Sequence, residues 1–281
     1  MSDWKQPLRL VEMLDKNGAI DDKGIKKLTE AVQEAADLAD NLKCEEFLAF
    51  ATSAVRSAAN SDDVLDHVEK KTGVRLQVLS GKDEARLTFL AARRWYGWSA
   101  GRITNLDIGG GSLEMSTGTD EVPDVAVSLD LGAGRLTHEW FDTDPPEKKM
   151  VNTLRDYIDA ELSAVAGDFL DQGEAGLAVG TSKTFRTLAR LTGSAPSSAG
   201  PYVKRTLTAP GLRQLIAFIT RMTASDRAEL EGVSSDRSHQ IVAGALVAEA
   251  AMRALNLDKL EICPWALREG VILRQIDKGQ N

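Results

Sequence analysis

Residues 106 to 114 read LDIGGGSLE: an apolar run closes on Asp107, three glycines follow (Gly109, Gly110, Gly111), and the chain resumes with Ser112 and Glu114. With a strand on either side, the glycines make a tight turn. Ser112, Glu114 and Ser116 then share one face of the returning strand, and Leu113 and Met115 share the other. Glycine permits positive φ and lets an anion approach the N–H groups with no Cβ in the way. Two carboxylates beside such a turn repel a phosphate unless a cation such as Mg2+ lies between them. A plain glycine-rich hairpin is the simpler reading, although two glycines suffice for one. A dinucleotide fingerprint requires a helix straight after the glycines, and SLEMSTG reads as a strand.

Three other stretches carry chemistry-bearing residues. In LSGKDEARLTF (79 to 89), Ser80 stands between a strand and a helix as a candidate N-cap, and Asp83 completes an S-x-x-D capping box. Glu84 is left over from that arrangement; it is a first-turn acid favourable to the helix dipole, or a group free for chemistry at the carboxyl end of a strand. In FATSAVRSA (50 to 58), Arg56 lies one turn into a helix that starts where a strand ends, placed either to grip phosphate oxygens bidentately or to sit on the surface. In AVGTSKTFRTLARL (178 to 191), Gly180 and Thr181 form a strand-to-helix loop with N-terminal amides open to an anion, and Lys183 and Arg186 add positive charge nearby. The loop lacks the spaced glycines of a Walker A motif.

The elements that must hold these residues alternate along the chain. Strands are expected at 8–13, 46–51, 75–79, 102–108, 112–118, 124–129, 176–180 and 259–263. Helices are expected at 22–42, 61–72, 81–96, near 147–166, at 182–192, near 209–221 and 236–255, and from about 265. Such alternation marks an α/β protein, and the glycine-containing GWSAGR suggests a boundary near residue 100, giving domains 1–100 and 101–281.

Composition bounds the function. The chain has 281 residues, 43% hydrophobic and 27% charged, the profile of a soluble globular protein long enough for two domains. A net charge of −8 argues against a nucleic-acid partner, while leaving room for a phosphate ligand held locally. No apolar signal core opens the sequence and no run is long enough to span a membrane, so no membrane partner is expected and the cytoplasm is the default compartment. Cys44 and Cys263 lack zinc-type spacing, and His67, His138 and His239 are scattered.

Taken together, ATSAVRSAAN, SGKDEARLTF, LDIGGGSLE, AVGTSKTFRTLARL, DRSHQIVAGALV and LREGVI resemble, in order and approximate spacing, the Ppx/GppA phosphatases. The resemblance implies an actin-like (ribonuclease H-like) two-domain α/β fold with its active site in a cleft between the domains, the final helix packing back on the first. It places the family's catalytic glutamate on Glu84, the phosphate hairpin on Asp107, Gly109, Gly110, Gly111, Ser112 and Glu114, and a phosphate-facing arginine on Arg56. Gly180 and Thr181 match a loop that meets the nucleotide in actin-like ATPases and are expected to bind phosphate.

The implied reaction is exopolyphosphatase hydrolysis, the release of terminal phosphate from inorganic polyphosphate by metal-assisted attack of water. Mg2+ or Mn2+ would be held by Asp107 and Glu114. The same site could serve pppGpp or a nucleoside polyphosphate, and a third reading is a non-catalytic binding paralogue. The resemblance also makes a homodimer plausible. A first phosphate hairpin of D-x-G-S-N-[ST] type has no counterpart before MSDWKQPLRLVEML. The expectation there is a truncated gene model, set against a degenerate paralogue, with the 281-residue chain nearly inactive.

Overall fold

The computed structural model describes residue 4 and residues 6–279. Packing divides the chain into two compact units, Met1–Ser80 and Gly81–Asn281.

In the first unit, helix α1 (Asp22–Asn41) is started by Asp21, whose carboxylate accepts from the Gly24 amide at 2.7 Å. It is followed by β1 (Phe50–Ala51), the short α2 (Ser53–Arg56), α3 (Ser61–Thr72) and β2 (Gln77–Val78). Gly73, at φ 72, stops α3 in the left-handed region that glycine adopts without strain. β1 and β2 pair in parallel, Phe50 with Gln77 and Ala51 with Val78. Leu10, Ile20, Leu28, Val32, Val55, Val64 and Val68 form the core beneath them. Two sequence expectations change here. The stretch 8–13 is no strand: Arg9 turns left-handed at φ 55 and Leu10–Met13 closes a 3-10 turn. The strands expected at 46–51 and 75–79 shrink to two residues each, the length over which they pair.

The second unit begins with α4 (Gly81–Tyr96). It continues with β3 (Ile103–Ile108), β4 (Leu113–Gly118), β5 (Val125–Leu129), α5 (Ala133–Trp140), α6 (Lys148–Leu170), β6 (Leu177–Gly180) and α7 (Lys183–Leu191). Then come β7 (Thr206–Thr208), α8 (Ala209–Ile219), α9 (Ala224–Ala228), α10 (Ile241–Ala254), β8 (Lys259–Ile262) and α11 (Leu267–Gly279). The sheet order is β5-β4-β3-β6-β8-β7, with β3, β4 and β5 an antiparallel meander and β6 and β8 parallel to β3. Without the added edge strand β7, this is the order of the actin-like, ribonuclease H-like sheet. β4 is buried along its whole length, as a strand covered on both faces must be. Leu106, Ile108, Leu113 and Met115 face the large core with α6, α7, α8 and α10. On the opposite face Ile103 meets Phe89 and Ala92 of α4.

α4 lies against β4, β5 and α11, so it packs with the second unit, which begins at Gly81. α11 packs on α4 so closely that a Cβ on Gly270 would stand 2.0 Å from the Leu87 carbonyl oxygen. Among the described residues no helix is long and apolar enough to cross a membrane. The helix expected over 236–255 starts only at Ile241. α5, α9 and β7 went unread because their short segments, GAGRLTHEW for α5, look like loop.

Candidate active site

Asp107 and Glu114 are directly opposed across the β3–β4 ladder, so their side chains leave the same face. Gly109 to Ser112 close the turn between them, the Gly109 amide donating to the Ser112 carbonyl at 2.9 Å. The carbonyls of the turn are taken by the start of α5. Ala133 N–H donates to Gly109 O at 3.0 Å, Arg135 N–H to Gly110 O at 2.9 Å and Arg135 Nε to Gly111 O at 3.0 Å. In a trans peptide the N–H points opposite its C=O. The amides of Gly110, Gly111 and Ser112 therefore point away from α5 as a fixed set of donors, the arrangement that holds an anion.

The glycines do not serve the turn through positive φ: none of the three is in the left-handed region. A Cβ on Gly110 would meet nothing within 4 Å, so what its absence leaves is open approach to the amides. The steric demand falls on Gly132 instead, whose Cβ would lie 2.2 Å from the Gly111 carbonyl carbon.

The β6–α7 loop braces the same hairpin. Thr181 N–H donates to Leu106 O at 3.1 Å, Thr184 Oγ1 to Ile108 O at 2.9 Å, and Thr181 Oγ1 to Asp107 Oδ2 at 2.7 Å. Ser182 caps α7 by accepting from Phe185 N–H at 3.3 Å. Gly180 is required by the Phe185 ring, which a Cβ would approach to 2.8 Å. The amide of Thr181, expected to face an anion, is thus spent on the sheet, and Thr181 reaches the site through its hydroxyl on Asp107.

Glu84, in the first turn of α4, is buried, whereas Asp83 is half-exposed with Arg86 at 3.6 Å. Glu114 is buried and accepts from Ser128 Oγ at 2.8 Å. Burial first, then the charges of Asp107 and Glu84, push its carboxyl up to about 8 against the pull of the Ser112 and Ser128 hydroxyls. The Asp107 carboxyl is closely surrounded and is pushed up to about 6 by burial, against the pull of Thr181, Arg186 and Arg237. Asp107 and Glu114 thus share one sheet face, and Glu84 on α4 lies near enough to Glu114 to act on it electrostatically.

Two arginines supply the opposite charge. Arg186 donates from Nη2 to Thr181 O at 3.3 Å, and its buried Nε has no hydrogen-bond partner among the described residues. Burial lowers the pKa of Arg237, which Asp236 raises, Arg186 lowers and Asp107 raises. Arg237 was missed at the sequence level, although it stands in the quoted DRSHQ stretch; nothing local ties that stretch to Asp107. In the first unit Arg56 closes α2 and donates from Nη1 to the Leu79 carbonyl at 2.8 Å, at the end of β2.

Among the described residues no three His, Cys, Asp or Glu side chains are grouped to hold a metal ion alone. Asp107 and Glu114 nevertheless fit a hard divalent cation of the Mg2+ type. Such an ion is commonly held by one or two carboxylates and completed by water and phosphate oxygens.

The sequence model of the Ppx/GppA phosphatase family matches residues 1–279. The chain belongs to that family. It is 65% identical over 277 residues to Exopolyphosphatase 1 of Mycobacterium tuberculosis, a match covering 99% of this chain and 80% of that relative. To Exopolyphosphatase 1 of Mycobacterium leprae it is 64% identical, covering 99% and 82%. Among solved structures, the Aquifex aeolicus Ppx/GppA family member superposes with a TM-score of 0.77 at 26% identity, covering 97% of this chain and 87% of that one. An exopolyphosphatase from Cytophaga hutchinsonii shares the fold at a TM-score of 0.84 and 22% identity, covering 94% and 87%.

In this Ppx/GppA chain the LREG segment is structural. Glu269 Oε2 accepts from Ala266 N–H at 2.8 Å to start α11, and Gly270 lets α11 touch α4. That contact braces the helix carrying Glu84.

Proposed function

We propose that the chain is an exopolyphosphatase, a hydrolase that removes terminal phosphate from inorganic polyphosphate. The observation that carries this is the shared face of Asp107 and Glu114, with buried Glu84 close enough to act on Glu114, beside amides that α5 turns outward. Relatives at 64–65% identity named exopolyphosphatase support the same reading.

In this proposal the amides of Gly110, Gly111 and Ser112, with Arg186 and Arg237, bind oxygens of the phosphate chain. Glu84 orients the attacking water and takes its proton. Asp107 and Glu114 hold the cation, with Thr181 and Ser128 fixing the two carboxylates. When bound, Mg2+ or Mn2+ supplies charge neutralisation on the transferred phosphoryl group. The chain's own part is positioning and preorganised donors, the main contribution in phosphoryl transfer.

Polyphosphate is preferred to a nucleotide as substrate because the relatives at 64–65% identity carry the name exopolyphosphatase. The reading also places the protein in the cytoplasm, in keeping with two free cysteines. The test is phosphate release from long polyphosphate, pppGpp and ATP side by side, with Mg2+ and with EDTA. Turnover of polyphosphate alone, abolished by EDTA, is expected; preference for pppGpp or ATP would reassign the substrate.

A further inference from the structure

The face that carries Asp107 and Glu114 holds a second opposed pair. Asn105 and Ser116 are register partners two residues further from the turn, and both are fully buried. Among the described residues, Asn105 Oδ1, Asn105 Nδ2 and Ser116 Oγ have no hydrogen-bond partner. Opposed residues in an antiparallel pair have Cβ atoms about 4.5 to 5.5 Å apart. Two short polar side chains at that spacing can reach a common molecule without reaching each other. Buried polar atoms in folded proteins are almost always paired, so three orphans side by side call for an occupant.

The chemistry of the three atoms selects that occupant. Nδ2 only donates, Oδ1 only accepts and the hydroxyl does both. A cation would leave Nδ2 unmet and an anion would leave Oδ1 unmet. Water satisfies all three and obtains the two to four polar partners that a buried water typically has. That face is covered by α4, which brings Glu84 within electrostatic reach of Glu114 and lays Phe89 Cζ 3.3 Å from where a Gly118 Cβ would stand. Thr88, one turn on from Glu84, is buried as well.

We infer that Asn105 and Ser116 hold a buried water molecule that positions the Glu114 carboxylate. Glu114 precedes Ser116 by two residues on the same strand face, about 7 Å along the strand, a gap that a water spans. Its carboxylate has about four acceptor sites, of which the Ser112 and Ser128 hydroxyls use two. A third donor from below fixes the carboxylate's rotation toward the hairpin. Asn105 and Ser116 are thus positioning residues, acting through Glu114. This rests on Glu114 belonging to the active site.

The test compares Asn105→Val, Ser116→Ala, the double variant, Ser116→Thr and Glu114→Ala by melting temperature and by kcat and KM on polyphosphate with Mg2+, alongside a high-resolution crystal structure of the parent protein. Each single substitution should lower the melting temperature by stranding its partner, and the double should regain much of the loss, since removing both partners removes the unmet groups. All three should lower kcat about 10-fold with KM little changed, the scale on which groups behind a metal ligand act. Ser116→Thr keeps the hydroxyl and should recover most of kcat. A dry gap between Asn105 and Ser116, or parental kcat in the double variant, overturns the inference. If Glu114→Ala also keeps parental turnover, the active-site reading falls with it; if Glu114→Ala is inactive, only the water's role fails.

Discussion

A Cβ built on Gly132 would lie 2.2 Å from the carbonyl carbon of Gly111, a distance no real Cβ contact shows. The start of α5 and the glycine hairpin therefore meet backbone to backbone. That contact turns the hairpin's carbonyls toward α5 and its amides outward. Gly132→Ala should force the two apart. The expected result is a melting temperature lower by on the order of 5 to 10 °C, with phosphate release falling more than about 100-fold. Gly110→Ala is the contrast: its Cβ has open space, so the melting temperature should hold within about 2 °C while turnover falls about 100-fold through blocked anion approach. Equal melting losses in both would contradict the distinction.

Glu84 and Asp83 are neighbours with opposite surroundings, one buried and one half-exposed beside Arg86. Glu84→Gln should reduce kcat by roughly 100- to 10,000-fold, the usual contribution of a positioned acid or base. Asp83→Asn should cost little turnover. Steady-state assays on both decide it, and comparable losses would remove Glu84 from the role of base.

Arg237 and Arg186 both act on Asp107, and no local motif announces it. Arg237→Ala should raise KM for polyphosphate about 10- to 100-fold, the worth of one or two charge-assisted hydrogen bonds. The salt dependence of KM should flatten with it. An unchanged KM would leave Arg237 as a structural cation for Asp107.

Burial pushes the Glu114 carboxyl up to about 8 and the Asp107 carboxyl up to about 6. A carboxyl with a raised folded pKa is held protonated more tightly by the folded than by the unfolded chain. Its stabilising contribution is therefore complete below the ordinary carboxylate range and is lost as pH rises toward about 8. In EDTA the melting temperature should fall between pH 5 and pH 8.5, and Glu114→Gln should remove part of that fall. Mg2+ should restore the parent at pH 8 and act less on the variant, since a bound cation favours the ionised carboxylates. Melting curves across pH with and without Mg2+ check this; a flat profile in EDTA would contradict it.

The sequence alone determined the elements whose signals are local. The helices Ser61–Thr72 and Gly81–Tyr96 lie where apolar spacing puts them and stop at Gly73 and Gly97, both in the left-handed region, and the strand, glycine turn and strand around LDIGGG lie where alternation puts them. Family motifs were legible because they are contiguous. Tertiary structure decided what distant segments do to each other. Arg237 acts electrostatically on Asp107 only because distant segments of the chain gather near the end of β3, and no local propensity encodes that meeting. α4 joins the second unit through Gly270 and Leu87, a backbone contact between residues far apart in the chain. Of the two uses the sequence suggests for the hairpin glycines, positive φ is absent and open approach to the amides remains, while the steric constraint is the approach of Gly132, invisible until α5 is in place. Asn105 and Ser116 look like ordinary strand residues in sequence. Only their opposition in the ladder, under α4 and away from solvent, makes them a polar pair whose hydrogen bonds must be met from within.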